Sequence, residues 1–296
     1  MPNHHKLESQ APGSESPCAR SDDLSTDRTA SPLIAYCRFP SIMKVYYQWN
    51  LSGLRTFFVC GLHERDRLFA VEAHTGRSMS GPLGSRQGFH LYNGPSTDFQ
   101  ILAAAGEESA LGGFALNNSS RILLPGLKSN ALVPEVMRAY TMPKPDHSVA
   151  FRFSVEAGID EGMRRETFEW RKVKKSERDE CTKNGGFKLF RLGFCEDDAG
   201  IGGSTQGVHD QAAGVQEIVA VFSWRSFLTS PKHPLDLELV GKYRSETMGE
   251  RWTLMVLTTA LRIWVMHLHG KTSRGSIAMA EKVQRKDTSI SSGSSH

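Results

Sequence analysis

The sequence predicts a mainly β protein, a closed antiparallel barrel of about twelve strands that encloses one C-terminal hydrophobic α-helix. About a dozen short segments have the aromatic and β-branched composition that is typical of strands. No helical segments alternate with these strands, which argues against a doubly wound sheet. One long apolar segment, 247–270, follows the last strand and has the sequence signals of a helix at both ends.

The predicted strands follow one another between residues 45 and 241. In segment 149–155 apolar and polar residues alternate, so that Phe151 and Phe153 share one face. In segment 167–173 the residues Phe168, Trp170 and Lys172 share one face. The full set is 45–49, 56–62, 68–74, 89–95, 99–105, 121–126, 135–140, 149–155, 167–173, 187–194, 217–224 and 235–241.

The apolar segment 247–270 predicts a buried helix. Thr247 and Glu250 have the spacing of a capping box at its start, and Gly270 suits the left-handed residue that ends many helices. The segment is apolar on nearly every side, but Arg262 lies in its middle. A central arginine costs roughly 2.5–3.5 kcal/mol on membrane insertion scales. We therefore expect a helix in a protein core and no transmembrane segment.

Strands and helix together favour a closed barrel. Closure hides the edges of a large antiparallel sheet. A barrel of about twelve strands has more interior than its own side chains fill, because eight strands already leave just enough room for packing. A helix that is apolar on nearly all sides needs surroundings that cover all sides. The helix is therefore expected to fill the barrel.

Composition divides the chain into three parts. Residues 1–40 form a polar segment that we expect to be disordered, residues 41–270 form the barrel domain, and residues 271–296 form a basic, Ser-rich tail that we also expect to be disordered. Within this tail, 276–286 is predicted as a frayed helix. The net charge of +4 permits weak attraction to anionic partners but does not require it.

Five scattered cysteines form no CxxC pair, so neither a zinc site nor a disulfide framework is predicted. The N-terminal residues contain no apolar signal region. We therefore expect a cytoplasmic monomer, peripheral to a membrane if it binds lipid.

Several segments, in order, carry a resemblance to a known family: FHLYNGPSTDFQILAAA, RILLPG, RRETFEWRKV, GGFKLFRL, EIVAVFSW and MGERWTLMVLTTALRIW. Residues 41–270 that contain them resemble the tubby C-terminal-like superfamily, which includes tubby domains, LURP-one-related proteins and scramblases, and especially its uncharacterised fungal-type members. FEWR followed by GERW and TALRIW is the most specific part. The resemblance implies a twelve-stranded barrel around a central hydrophobic helix.

The resemblance also implies a type of function, since tubby domains bind phosphoinositides through basic surface side chains. No lipid-site residue of that family aligns with this chain, so none is carried over. The calcium-binding and cysteine-rich segments expected of scramblases are absent from the sequence.

A basic cluster is the first candidate site. It comprises Arg165, Arg171, Lys172, Lys174 and Lys175. Guanidinium and ammonium groups at this density can bind phosphate or lipid headgroups. The alternative is a solvated outer face that is balanced by nearby acidic residues in the segment 177–180.

A polar stripe on the helix is the second candidate site. At about 100° per residue, Arg251, Thr258, Arg262 and His269 fall within one narrow arc. An arginine inside a barrel must be paired or must reach water. Either Arg262 makes a salt bridge or carbonyl contacts in the core, or the stripe faces an opening where an anionic headgroup enters.

Sequence motifs for catalysis are absent: GxSxG, the GxxxxGK[ST] phosphate loop, GxGxxG and a complete HExxH are not found. We therefore expect a non-enzymatic binding module, without cofactor or metal, that binds anionic phospholipid such as a phosphoinositide at a membrane surface, and we expect no nucleic-acid partner. One alternative is a scaffold that binds a protein partner, and a second is an enzyme with an unrecognised site.

Overall fold

The computed structural model describes residues 39–48, 56–109, 118–194, 217–225, 230–241, 243 and 245–292. All of them belong to one compact unit, residues 33–296. Apart from its last two residues, the predicted disordered segment 1–40 lies outside the described residues.

Twelve strands and three α-helices form in the described ranges. The strands are β1 Ile42–Tyr47, β2 Thr56–Cys60, β3 Arg67–His74, β4 Gly88–Tyr92, β5 Ile101–Glu107, β6 Ser119–Gly126, β7 Ser129–Thr141, β8 Val149–Ala157, β9 Arg164–Lys172, β10 Gly186–Phe194, β11 Glu217–Trp224 and β12 Leu235–Leu239. The helices are α1 Ser245–Met248, α2 Glu250–Leu268 and α3 Arg274–Ser292.

Each strand pairs antiparallel with its neighbours in sequence, and β12 pairs with β1 to close the barrel. The closed mainly β barrel and its strand number confirm the prediction, since every predicted strand segment overlaps one observed strand. The largest difference is β7, which begins at Ser129 and not at residue 135. The added residues are exposed or half-buried and pair with β6, and they include Pro134, a residue type that weakens a strand prediction.

Alternate residues of the strands form one continuous apolar cluster together with α2. The aromatic side chains pack edge to face or stacked, as with Phe187 and Phe222, whose ring centroids are 5.2 Å apart. Trp170 lies in van der Waals range of Phe222 and donates a hydrogen bond from Nε1 to Thr259 Oγ1 at 3.0 Å. The period-two burial on β8 and the inward Phe168 and Trp170 on β9 agree with the sequence pattern.

Helix α2 packs against the barrel through β5, β6, β8 and β12. All residues from 252 to 264 are buried. Thr259 is accommodated because its hydroxyl donates to the Met255 carbonyl oxygen at 2.8 Å. As predicted, Gly270 adopts a left-handed conformation just after the helix, with φ of 70°.

The predicted capping box at the start of α2 is wrong. Thr247 belongs to the short helix α1, and Gly249 is the N-cap of α2 without a side-chain capping bond. Gly249 has φ of 84°, and a Cβ atom on it would lie 2.6 Å from the carbonyl oxygen of Gly158. The close approach of the chain to the end of β8 thus requires glycine and a break between the two helices.

Helix α3 differs from the disordered tail expected for residues 271–296. It includes the predicted segment 276–286 and extends it in both directions. Ile277 joins the main apolar cluster. The Glu281 carboxylate accepts hydrogen bonds from the backbone N and Oγ1 of Thr141, at 3.1 and 2.8 Å. Contact with β7 stabilises a helix that its own composition indicates only weakly.

A helix that could cross a bilayer does not occur in the described part of the chain, because none is both long enough and apolar enough.

Two buried histidines lie under the loop between β3 and β4. The rings of His74 and His90 have centroids 4.7 Å apart. His74 Nε2 and the Gly84 carbonyl oxygen are 2.7 Å apart, whereas His90 Nε2 is buried without a hydrogen-bond partner. Burial, and then the neighbouring His74, lower the pKa of His90 to about 4, while Glu72 acts in the opposite direction. His90 of the folded protein is therefore neutral at pH values above about 4.

The first prediction tests the packing of α2. Leu261→Asp places a carboxylate at a fully buried position and should lower the free energy of unfolding by more than about 4 kcal/mol, enough to unfold the domain. Leu268→Asp, at an exposed position on the same helix, is the control and should melt within a few degrees of wild type. Unchanged thermal melting of the Leu261 variant, measured by circular dichroism, would contradict the packing.

The second prediction concerns acid stability. The unfolded chain binds a proton at His90 near pH 6.5 and the folded chain only near pH 4, so this group contributes a loss of stability as pH falls between these values. The contribution approaches about 3 kcal/mol at the acid end. His90→Phe should remove it, whereas His63→Gln at an exposed turn position should not. Denaturant unfolding at pH 7 and pH 4.5 measures the difference, and equal pH dependence in wild type and His90→Phe would refute it.

Candidate functional site

The polar stripe of α2 divides between the two ends of the barrel. At the start of the helix, Arg251 donates to Glu156 Oε2 at 2.9 Å, to Glu135 Oε1 at 2.7 Å and to the carbonyl oxygen of Pro125. Arg165 bridges the same two carboxylates, at 2.5 and 2.7 Å. Arg251 and Arg165 are therefore neutralised by carboxylates.

Arg171 is also neutralised. Its Nε donates to Glu169 Oε1 at 2.6 Å, and Arg152 and Tyr140 donate to the other oxygen of the same carboxylate. Burial by itself raises the pKa of Glu169, but the hydrogen bonds from Tyr140, Arg171 and Arg152 outweigh it and hold the pKa below its ordinary value. Arg171 thus belongs to a satisfied network on the outer surface of β9.

The three lysines of the basic cluster lie at the end of the barrel where α2 terminates. Lys174 pairs with Asp146 and, at 3.6 Å, with Glu177. Lys175 is exposed. Lys172, the last residue of β9, is half-buried, and its pKa is lowered by burial and then by the positive charge of Arg178. The structure therefore places Lys172 and Lys175 at the opposite end of β9 from Arg165.

His267 and Trp224 connect Lys172 to α2. The two rings are stacked, with centroids 4.3 Å apart and planes inclined by 11°. Partial burial and then Lys172 lower the pKa of His267. A Cβ atom on Gly185 would lie 3.1 Å from Trp224 and 3.5 Å from the Arg178 guanidinium, which places Arg178 beside the same ring.

Arg262 has the most unusual environment of the stripe. It is only 5% exposed, and its Nε donates to Ser120 Oγ at 3.0 Å. Burial lowers the pKa of the guanidinium to about 10, and the opposing effect of Glu107 is smaller. Glu107 itself is paired with Lys271. No carboxylate of the described residues contacts Arg262. The lowered pKa corresponds to a cost of about 3 kcal/mol for keeping the guanidinium charged.

The other two stripe residues complete this picture. Thr258 is fully buried, and its hydroxyl has no hydrogen-bond partner in the described part of the chain. His269 is the C-cap of α2, and burial, then Lys271, then Arg262, lower its pKa. The stripe therefore has Arg251 toward one end of the barrel and Arg262 with His269 toward the other, and the buried Thr258 hydroxyl lies between them.

We call the α2 C-terminal end of the barrel the basic end; it comprises Lys172, Arg178, Arg262, His267, His269 and Lys271. Among the described residues, no carboxylate contacts the side chains of Lys172, Arg178 and Arg262. The negative pole of the helix dipole favours cations there, but it offsets only part of their mutual repulsion. An anion with several oxygen acceptors would complement the arrangement.

Arg178, Trp224 and His267 were not predicted as site residues. Arg178 and His267 are far apart in sequence and meet only through the pairing of β9, β10 and β11. The alternation in 167–173, which placed Lys172 on the face of Trp170, was the one sequence signal that pointed here.

Two clefts of the barrel lie away from the basic end. One of about 490 Å³ lies at the opposite end, where the Glu166 carboxylate binds both Arg164 and Arg191. Another, of about 620 Å³, lies at the turn 63–67. Among the described residues, no group of three His, Cys, Asp or Glu side chains is placed to hold a metal ion.

Comparison of the chain with protein-family models, with curated proteins and with solved structures finds no significant match.

The third prediction contrasts the two arginines of α2. Arg262→Met removes a buried charge without a carboxylate partner, so the free energy of unfolding should stay the same or rise. Arg251→Met leaves Glu135 and Glu156 with one partner fewer and should cost about 2 kcal/mol or more. Urea unfolding of both variants measures the contrast. A large loss of stability in Arg262→Met would show that this arginine holds the fold together.

Proposed function

We propose that this protein is a non-enzymatic binding module of the tubby-like type, in which the barrel encloses α2 and the basic end binds the phosphate groups of anionic phospholipid, a phosphoinositide in particular. The observation that carries the proposal is the buried guanidinium of Arg262, which keeps its charge at the basic end without a carboxylate in contact among the described residues. Groups with strained or strongly perturbed environments are enriched at functional sites, which supports this proposal.

Burial supports the enclosure of α2. Thirteen consecutive residues, 252–264, span more than three helical turns and thus cover the whole circumference of the helix. All are buried, and the apolar residues among them share one cluster with side chains of the twelve strands. A helix that lay on the outside of the barrel would leave one face exposed to solvent.

The chemistry of the basic end favours phosphate over other anions. Guanidinium groups donate in a fixed planar fork that fits phosphate oxygens, and Lys172 adds a point charge. The lowered pKa values of Lys172 and His267 follow from burial and from the neighbouring cations, and a bound anion would relieve both effects of charge repulsion. A phosphomonoester headgroup carries more negative charge than the phosphodiester of ordinary lipids and is therefore the preferred ligand.

This proposal modifies the basic cluster predicted from the sequence. Lys172 and Lys175 remain candidate ligand-binding residues, whereas Arg165, Arg171 and Lys174 are engaged with carboxylates. Arg262 and His269 of the polar stripe join Lys172. The proposed location is the cytoplasmic surface of a membrane, where anionic headgroups are concentrated.

The fourth prediction tests this function by liposome sedimentation. The protein should pellet with phosphatidylcholine vesicles that contain a phosphoinositide and not with phosphatidylcholine alone. The double variant Lys172→Gln/Arg178→Gln should lower the partition coefficient by roughly thirtyfold at low salt, at roughly 1 kcal/mol per cation.

The matched control is Arg65→Gln/Lys128→Gln, which removes the same charge from exposed positions at the opposite end of the barrel. It should bind within about twofold of wild type. Absence of lipid-dependent pelleting at moderate salt would refute the lipid proposal. An equal loss of binding in both double variants would show a general effect of charge and no specific site at the basic end.

A further inference from the structure

Exposed apolar side chains lie on the two helices of the basic end. Leu268, at the end of α2, is 56% exposed, and Met279 of α3 is 58% exposed. Val283, one turn after Met279, is 39% exposed. Single exposed apolar side chains are common on protein surfaces, whereas neighbouring ones indicate a contact surface.

Helix geometry places these α3 residues on one outward face. Residues three and four positions apart lie side by side on a helix, so Lys282 and Val283 both adjoin Met279. The opposite face is anchored, because Ile277 and Ala280 are buried and Glu281 binds Thr141. We call Met279, Lys282 and Val283 the α3 apolar face.

We propose that the α3 apolar face inserts into the headgroup region of an anionic membrane when the protein binds lipid. The inference rests on the proposed function for its ligand class, but a separate set of residues carries it. Leu268 lies at the basic end, and α3 is tied to the same end through the contact of Glu281 with the last residue of β7.

Charge selects a membrane as the occupant of this face. Lys282 is exposed beside the apolar side chains, and Arg274 is exposed at the start of α3. The acidic residue between them, Glu281, faces β7 and is engaged with Thr141. The charge of Lys282 beside a small apolar surface complements anionic headgroups, whereas it would repel the same face of a second copy of this chain.

The two sets of residues act together in this proposal. Two or three apolar side chains provide too little burial for stable membrane association alone, and electrostatic attraction of the basic end supplies the second contribution. We expect the apolar contacts to set how long the protein stays bound and the cations to set which vesicles it binds.

The test measures partition of the full chain into vesicles of phosphatidylcholine with phosphatidylserine and a phosphoinositide. Met279→Ser/Val283→Ser should lower the partition coefficient roughly tenfold, and Gln284→Ser, an exposed position on the same helix, should not change it. Met279→Trp/Val283→Phe should raise it, which gives a gain of binding that loss of folding cannot imitate. Circular dichroism verifies that each variant keeps its helix content.

The outcomes separate the two proposals. If Lys172→Gln/Arg178→Gln loses binding while the α3 variants all bind as wild type, the lipid function stands and the insertion of α3 is refuted. If neither the wild type nor any variant binds vesicles, the proposed lipid function is refuted, and the insertion of α3 is refuted with it. If the α3 variants instead change the self-association of the chain in the absence of vesicles, measured by light scattering, the occupant is a second copy and the membrane inference is overturned.

Discussion

The constraint on which the rest of the structure depends is the shared apolar core of the twelve strands and α2. Neither part satisfies itself: a barrel of this strand number has inward side chains that need contacts, and a helix buried along residues 252–264 needs surroundings that exclude water. The hydrogen bond from Trp170 to Thr259 joins the two and accounts for one of the few polar atoms in the core. The strands form a closed meander, in which each strand pairs with the next and β12 pairs with β1.

Burial in this core destabilises the charged form of side chains on α2, and the two arginines of the helix have different hydrogen-bond partners. Arg251 lies where the ends of β6 and β8 and the middle of β7 provide Pro125, Glu156 and Glu135, so its desolvation is offset by charge-assisted hydrogen bonds. Arg262 lies near Ser120, and the nearest carboxylate is engaged by Lys271. One arginine thus joins helix to barrel, while the other is buried, without a carboxylate in contact among the described residues, at the site that we propose to be functional.

The proposed membrane contact combines the charges of the basic end with the exposed side chains of α3. Both arise because α2 ends where several strands also end, so that residues distant in sequence converge: Lys172 ends β9, Trp224 ends β11, and Glu107 ends β5. The chain then turns at Gly270 and places α3 against β7. The same turn that terminates the buried helix therefore leads into α3, which carries Met279 and Val283 and is held at the end of β7 by Glu281.

The sequence by itself determined the class of fold, the twelve strand segments, and the helix with its left-handed stop at Gly270, because periodicity, β-branched composition and glycine conformations are local properties of the chain. It also placed Lys172 with Trp170. It did not determine the start of α2, where the carbonyl oxygen of Gly158 excludes any side chain at position 249. Only the tertiary structure decided which cations are neutralised: Arg165 meets carboxylates of β7 and β8, and Arg178 and His267 lie close to the charge of Lys172. Ion pairing depends on distances of a few ångströms between residues far apart in the chain, and no local pattern encodes those distances.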